Sequence, residues 1–248
     1  MGDRQKDYTI GRGSILFKPD GEDNYTPFGN APDFKLGMKT ENKEHFSSES
    51  EVLLKDKDII TKTEGKGSFS LDEPNISNLT KFFMGDAATS ANQTAGTVTD
   101  EAVTALHDKF VQLSKLEVSD VVVINDAGTT TYVEGTDYVV NKGQGLLMAL
   151  STGAITDNQA LEVDFDHAVV KTQKGNAGKN ARITGHLWFI GNPTVGGKID
   201  IKGFVSLTPN GDMDMIGADW MKMQFNFDFL THADYTGLFE YSTRGVRA

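Results

Sequence analysis

Asp164 and Asp166, with Glu162 two residues earlier, come closest to an acid–base pair in this chain. Glycoside chemistry needs two such carboxyl groups placed on either side of a scissile bond. Acids at every second position equally describe the solvated face of one strand, and that is the reading adopted. Asn210, Asp212 and Asp214 open like a calcium loop, but Met215 stands where that loop needs glycine and no glutamate closes it. Gly178-Lys179 resembles the end of a phosphate loop, yet Asn180 replaces the metal-holding hydroxyl and the first glycine is missing. There is no G-x-S-x-G elbow. The five histidines (His45, His107, His167, His186 and His232) show no HxH or HxxxH spacing. His186 lies between Gly185 and Leu187 on a strand pattern, so it is expected on the face opposite the core, as a surface or interface residue. Cysteine is absent, which removes thiolate catalysis, disulfides and thiolate metal sites. No catalytic residue, metal or cofactor is expected.

The elements that could position any chemistry are strands. Met221, Met223, Phe225, Phe227 and Phe229 alternate with Lys222, Gln224, Asn226 and Asp228. With a side-chain period of two, one face of this strand is apolar and must be buried, and the other is polar. Residues 13–18 form a first strand, ended by the turn signal Pro19-Asp20-Gly21, and residues 34–40 a second. A third runs from Ile59 to Leu71, with Lys62, Glu64 and Lys66 on one face. Between the last two, residues 41–58 are charged and serine-rich, and Val52, Leu53 and Leu54 are their one apolar group. The whole reads as a hairpin with a polar tip of about 18 residues, far beyond the usual two to five, expected to be mobile until it orders against a neighbour.

Pro74, the capping residues Asn75 or Ser77, and the stripe Ile76, Leu79, Phe82, Phe83 predict one short helix ended by Gly85. Two polar linkers, residues 87–96 and 171–180, enclose a segment with strands expected at 110–116, 121–125, 131–140, 146–150 and 160–165. Later strands are expected at 182–190, 198–207, 220–229 and 238–241. The fold class is therefore all-β with one short helix. A discontinuous sandwich or barrel domain spans 1–98 and 171–248, and a small Ig-like β-sandwich is inserted at 99–170.

Charge is unevenly placed. The chain of 248 residues carries −11, and residues 99–170 alone hold 12 acids against 3 bases. An acidic surface repels nucleic-acid backbones. No apolar run approaches the roughly 20 residues of a membrane helix, and the charged, polar residues 1–10 are unlike a secretory signal, so assembly in a cytoplasm without membrane insertion is expected.

The order of elements forms a pattern of its own. Gly11-Arg12-Gly13 precedes a strand, followed by a long hairpin, one helix and an inserted β module. Then come Gly185-His186-Leu187-Trp188-Phe189-Ile190-Gly191-Asn192-Pro193 and Val205-Ser206-Leu207-Thr208-Pro209-Asn210-Gly211, leading to Ile216-Gly217 and Trp220. This layout resembles the major tail tube proteins of long-tailed bacteriophages. The insertion, through Tyr132-Val133-Glu134-Gly135-Thr136-Asp137-Tyr138, is similar to decoration-type β domains of phage tails. The resemblance implies a structural virion protein whose hexameric rings stack into a hollow tail tube. Such a tube encloses the tape-measure protein, meets tail terminator and distal tail proteins at its ends, and conducts DNA into the host. Under it, Val52, Leu53 and Leu54 become inter-ring contacts, Lys62, Glu64, Gln224 and Asp228 become lumen-lining candidates, and the acidic insertion is expected outside the tube. Two other readings remain open. One is a surface binding module for carbohydrate or a receptor through Trp188, Trp220 or the insertion, and the other is a two-carboxylate enzyme.

Overall fold

The computed structural model describes residues 8–49 and 51–244. Residues 1–7 of the charged N-terminus, Ser50 of the expected hairpin tip, and residues 245–248 lie outside the described residues. The chain is nearly all β, and it forms two compact units, Met1–Ala88 with Gly175–Ala248, and Thr89–Lys174. In chain order the first unit begins with β1 (Gly13–Pro19), β2 (Thr26–Pro27), β3 (Asp33–Ser47), β4 (Leu54–Leu71) and α1 (Ile76–Phe82). The second unit holds β5 (Thr89–Ser90), β6 (Gly96–Ala105), β7 (Phe110–Gln112), β8 (Val118–Asn125), β9 (Thr131–Tyr132), β10 (Tyr138–Asn141), β11 (Leu146–Ala149), β12 (Gln159–His167) and β13 (Gln173–Lys174). The first unit resumes with β14 (Ile183–Gly191), β15 (Lys198–Pro209), β16 (Met223–Leu230) and β17 (Phe239–Arg244).

Alternation builds the first unit. Its strands form one antiparallel sheet in the order β2-β1-β14-β15-β16-β4-β3, with β17 paired to the first half of β15 beyond the reach of β16. Ile15, Phe17, Phe69, Leu71, Leu187, Val205, Leu207, Met223, Phe225 and Phe227 all point inward and are buried together. Each such side chain contributes roughly 1.5–3 kcal/mol. The sheet is strongly curled. Phe34 on β3 and Phe189 on β14 are four strands apart, about 19 Å along a flat sheet, yet their rings stack at 4.7 Å. Phe34 also stacks on Phe227 at 5.6 Å, so one aromatic seam closes the interior. Arg244 on β17 holds the buried Asp200 carboxylate, donating from Nη2 at 2.8 Å, and Asp200 also accepts the Gly191 N–H at 3.1 Å.

The helix forms where expected. Asn75 caps it, its Oδ1 accepting the Asn78 N–H at 3.0 Å. Phe82 turns into the core with its ring 5.7 Å from that of Phe225. The Gly178-Lys179 segment, expected in a linker, closes the helix's other end. The Gly178 and Asn180 N–H groups donate to the Phe83 and Met84 carbonyls at 2.9 Å each. Gly178 is in the left-handed region at φ +69°, which allows that return.

The second unit has its own core. A four-stranded sheet, β6-β12-β8-β9, and a three-stranded sheet, β10-β11-β7, share Val103, Val123, Leu161, Phe165, Tyr138 and Leu147 in one cluster. Tyr138 is fully buried and its hydroxyl donates to the Val121 carbonyl at 3.0 Å. The strand expected over 131–140 is broken. Residues 133–137 turn sharply, with Gly135 at φ +83°, and Asp137 accepts the N–H groups of Val133 at 2.9 Å and Ala154 at 2.8 Å. Those two bonds hold the Asp137 carboxyl below the usual carboxylate range. Strand β6 was unforeseen because threonines and acids hide its inward Val103 and Ala105. The unit spans residues 89–174 rather than the expected 99–170, since β5 and β13 pair where the chain enters and leaves it.

The largest correction concerns the hairpin. Residues 41–58 are not an 18-residue loop. β3 and β4 stay paired from Asp33↔Ser70 to Ser47↔Leu54, with register shifts at Glu41/Asn42 and His45/Phe46. Polarity misled the reading: a ribbon with both faces in water carries charge on both, so the alternation that marks a half-buried strand disappears.

Small residues in the sheet are spacers for large ones. A Cβ built on Gly67 would fall inside the Phe227 ring directly opposite it, whereas one on Gly37 meets nothing within 4 Å. Gly67→Ala is expected to destabilise the first unit by about 1–3 kcal/mol by overpacking, and Gly37→Ala to change stability by under about 0.5 kcal/mol. Denaturant melts of both variants check this.

Candidate functional site

Three surfaces of the first unit carry chemistry beyond packing. The first is the distal hairpin, hereafter the arm. Every described residue of 37–46 and 51–63 is exposed, so both faces of this two-stranded ribbon are in water. Val52, Leu53 and Leu54 sit at its turn end, with Leu53 63% exposed, and Met38, Phe46, Ile59 and Ile60 continue the apolar surface along it. Polar contacts line the ribbon: Lys55 donates across the strands to Glu44 at 2.6 Å and along its own strand to Asp58 at 3.1 Å, and His45 Nδ1 lies 2.6 Å from Asp56 on the facing strand. An isolated two-stranded ribbon is marginal in water. This one also has open edges and solvent-facing apolar residues, the features through which strands add to other chains.

The second is a ladder of charge on the outer face of the sheet. Glu64 accepts from Lys62 and, at 3.1 Å, from Lys66. Lys66 reaches Asp228 on β16 at 3.5 Å, and Lys62 reaches Glu41 on β3 at 3.5 Å. The two lysine hydrogen bonds, that of Lys62 foremost, hold the Glu64 carboxyl below its ordinary range, and the same contacts push both lysines up. Gln224 and Asn226 continue this face, opposite Ser70 and Ser68. The lining candidates Lys62, Glu64, Gln224 and Asp228 therefore share one polar face across β4 and β16.

The third was not foreseen. His186 does face away from the core, but it is only 6% exposed, because residues 231–238 fold over it. Its Nδ1 lies 3.1 Å from the Tyr235 hydroxyl, and its ring packs edge-on against Phe204 and His232. Burial, then the nearby Lys18, pushes the His186 imidazole down, which favours the neutral ring. Burial beside Tyr25 pushes the Tyr235 phenol up to about 12. Among the described residues, His186, His232 and Asp234 are the one group of three metal-ligating side chains whose donor atoms converge. No sequence spacing could have found it, since 46 positions separate the two histidines.

The remaining sequence candidates have structural partners. Asp164 accepts the Asp100 N–H at 2.7 Å, and Asp166 accepts the Thr97 hydroxyl at 2.5 Å, so both acids fasten β6 to β12. Trp188 has the Lys202 ammonium 4.0 Å over its ring and Tyr25 at its edge, which leaves it poorly placed as a sugar platform. Trp220 is 87% exposed, in an irregular segment where Ile216 is 98% exposed.

A family described as "Protein of unknown function UCP028589" matches residues 8–238. The chain belongs to that family. No curated protein matches it. The match runs through both units, so the inserted segment lies within the span of the family.

The charge ladder is solvent-exposed, and exposed pairs contribute little to stability. Glu64→Gln is expected to leave the thermal midpoint within about 2 °C of wild type, as read by a calorimetric melt at low and high salt.

Proposed function

We propose that this chain is a structural subunit that assembles with copies of itself into stacked hexameric rings, forming a hollow tube of the kind built by long-tailed phages. Its place is then the virion tail, assembled in the host cytoplasm. Its partners are further copies, a tape-measure protein within the bore, terminator and distal tail proteins at the ends, and DNA in passage. The ring number and these partners come from the resemblance of the sequence layout.

The observation that carries the reading is the arm. A ribbon exposed on both faces, with Val52, Leu53 and Leu54 at its tip, has no stabilising partner among the described residues of its own unit. Repeated copies of the chain supply one, and a repeating contact of this heterologous kind generates rings or helical arrays. The exposed Ile216 and Trp220 offer a second apolar surface to a neighbour. The polar face of β4 and β16 suits a conduit. It carries Glu64 and Asp228 against Lys62 and Lys66, with Glu41 of β3 beside Lys62, a paired surface of mixed charge on which a phosphate backbone finds no deep binding well.

Negative-stain microscopy of concentrated protein tests the reading: rings or tubes are expected, and a monodisperse monomer at high concentration overturns it. Replacing Val52, Leu53 and Leu54 together with Asp should leave the melting temperature unchanged, because all three are exposed, while abolishing long tubes. Glu64→Lys with Asp228→Lys should leave tubes intact and slow DNA release, most at low salt. Replacing residues 89–174 with a short Gly-Ser linker should also leave tubes intact. The chain enters and leaves that unit on the paired strands β5 and β13, and its acids outnumber its bases by 12 to 5, which disfavours crowding it in a narrow bore.

A further inference from the structure

We infer that His186 Nε2, His232 Nδ1 and Asp234 Oδ2 form a binding site for one divalent transition-metal ion, with zinc as the best-matched occupant.

The three donor atoms all lie within 4.8 Å of one another, and Asp234 Oδ2 is 3.8 Å from Nε2 and 3.6 Å from Nδ1. A tetrahedral zinc with N and O ligands at about 2.0–2.2 Å requires donors roughly 3.3–3.5 Å apart. Small side-chain rotations therefore close the set around an ion. Those same separations exceed hydrogen-bond reach. His186 Nε2 therefore makes no hydrogen bond to a described residue, which leaves it available to a ligand.

The surroundings hold the ligands in place as metal sites require. His186 is oriented from behind through Nδ1 by the Tyr235 hydroxyl at 3.1 Å. His232 is stacked on Phe204 with ring centroids 4.5 Å apart. Its Nδ1 accepts a long 3.3 Å bond from the Asp234 N–H, a weak contact that an ion would replace. Two imidazole nitrogens and one carboxylate oxygen thus converge, and a cation is the natural resolution. Lys18, on the strand paired with β14, opposes a cation there, and Asp20 and Asp234 offset it. Two nitrogens and one oxygen suit zinc, cobalt or nickel, whereas magnesium and calcium prefer all-oxygen sets. Three protein ligands leave a coordination position for water. A bound ion would pin residues 231–238 to β14, joining a loop to the strand it covers.

The test uses full-length protein freed of any polyhistidine tag and stripped with chelator. Zinc titrated by calorimetry is expected to saturate at one ion per chain and to raise the melting temperature. Cobalt is expected to give the visible absorption of a low-symmetry, four-coordinate site. His232→Ala and Asp234→Asn, both in the loop, should each weaken zinc binding at least tenfold and abolish the cobalt band, while His45→Ala, at the arm's His45–Asp56 pair, leaves both unchanged. Absence of saturable zinc binding, or binding retained by both loop variants, overturns the site. Should a loop variant fail to fold, the wild-type cobalt spectrum decides alone: no visible band means no such site.

Discussion

Closure of the curled sheet by stacked phenylalanines is the constraint on which the first unit depends. Phe34 meets both Phe189 and Phe227, and Phe28 meets Phe17 and Phe69, so strands far apart in the sheet are held by direct ring contact. Hydrogen bonding between neighbouring strands would permit a flatter sheet. The rings do not, because a flat sheet would leave them in water. The glycines follow from the same requirement. Gly65, Gly67 and Gly203 lie under the rings of Phe227 and Phe229, where the curl brings backbone too close for a side chain. Curvature, aromatic content and glycine placement are one device.

That closure assigns the other face its fates. Alternate residues on β14, β15, β16 and β4 face outward, and the sheet treats them differently along its width. Around His186 the side chains of His232 and Tyr235, from the segment after β16, pack against the outer face and leave the histidine buried. Around Glu64 and Asp228 none of the described residues of the same unit covers it, and charge pairs along and between the strands take the place of burial. A covered polar patch is costly unless its groups are satisfied. This is why His186, covered by His232 and Tyr235 of the loop, is notable, and why the ion pairs on the open face are not.

Much of this was legible in the sequence where burial is one-sided. The alternation from Met223 to Phe229 gave the correct inward face, and Asn75 with the Ile76–Phe82 stripe gave the helix, because local pattern and tertiary environment agree there. Legibility failed where they part. β6 buries two of its ten residues completely, so its sequence resembles a linker. The arm buries neither face, so its strands look like a loop. The position of His186 could be read, but not its burial, which depends on a loop that returns 46 residues later.

The arm shows why a chain would keep structure that its own fold does not support. Strand pairing in the arm runs to Ser47↔Leu54, well beyond Gly65, the buried residue of β4 nearest the arm, so its distal length gains nothing from the phenylalanine core. Cross-strand pairs such as Lys55 with Glu44 return little in water. The ordering entropy of some two dozen residues, at about 1–2 kcal/mol each, therefore weighs on the free chain. In a lone molecule that is a standing cost. In an assembly, a preformed ribbon lowers the ordering cost of association and presents its apolar side chains in a fixed register. The two register shifts sharpen the ribbon's twist. They aim the tip residues in a defined direction and hinder flat edge-to-edge pairing with the wrong partner. Exposure, bulges and charged flanks are thus one solution to a single problem, which is to be adhesive in one geometry and inert in the others.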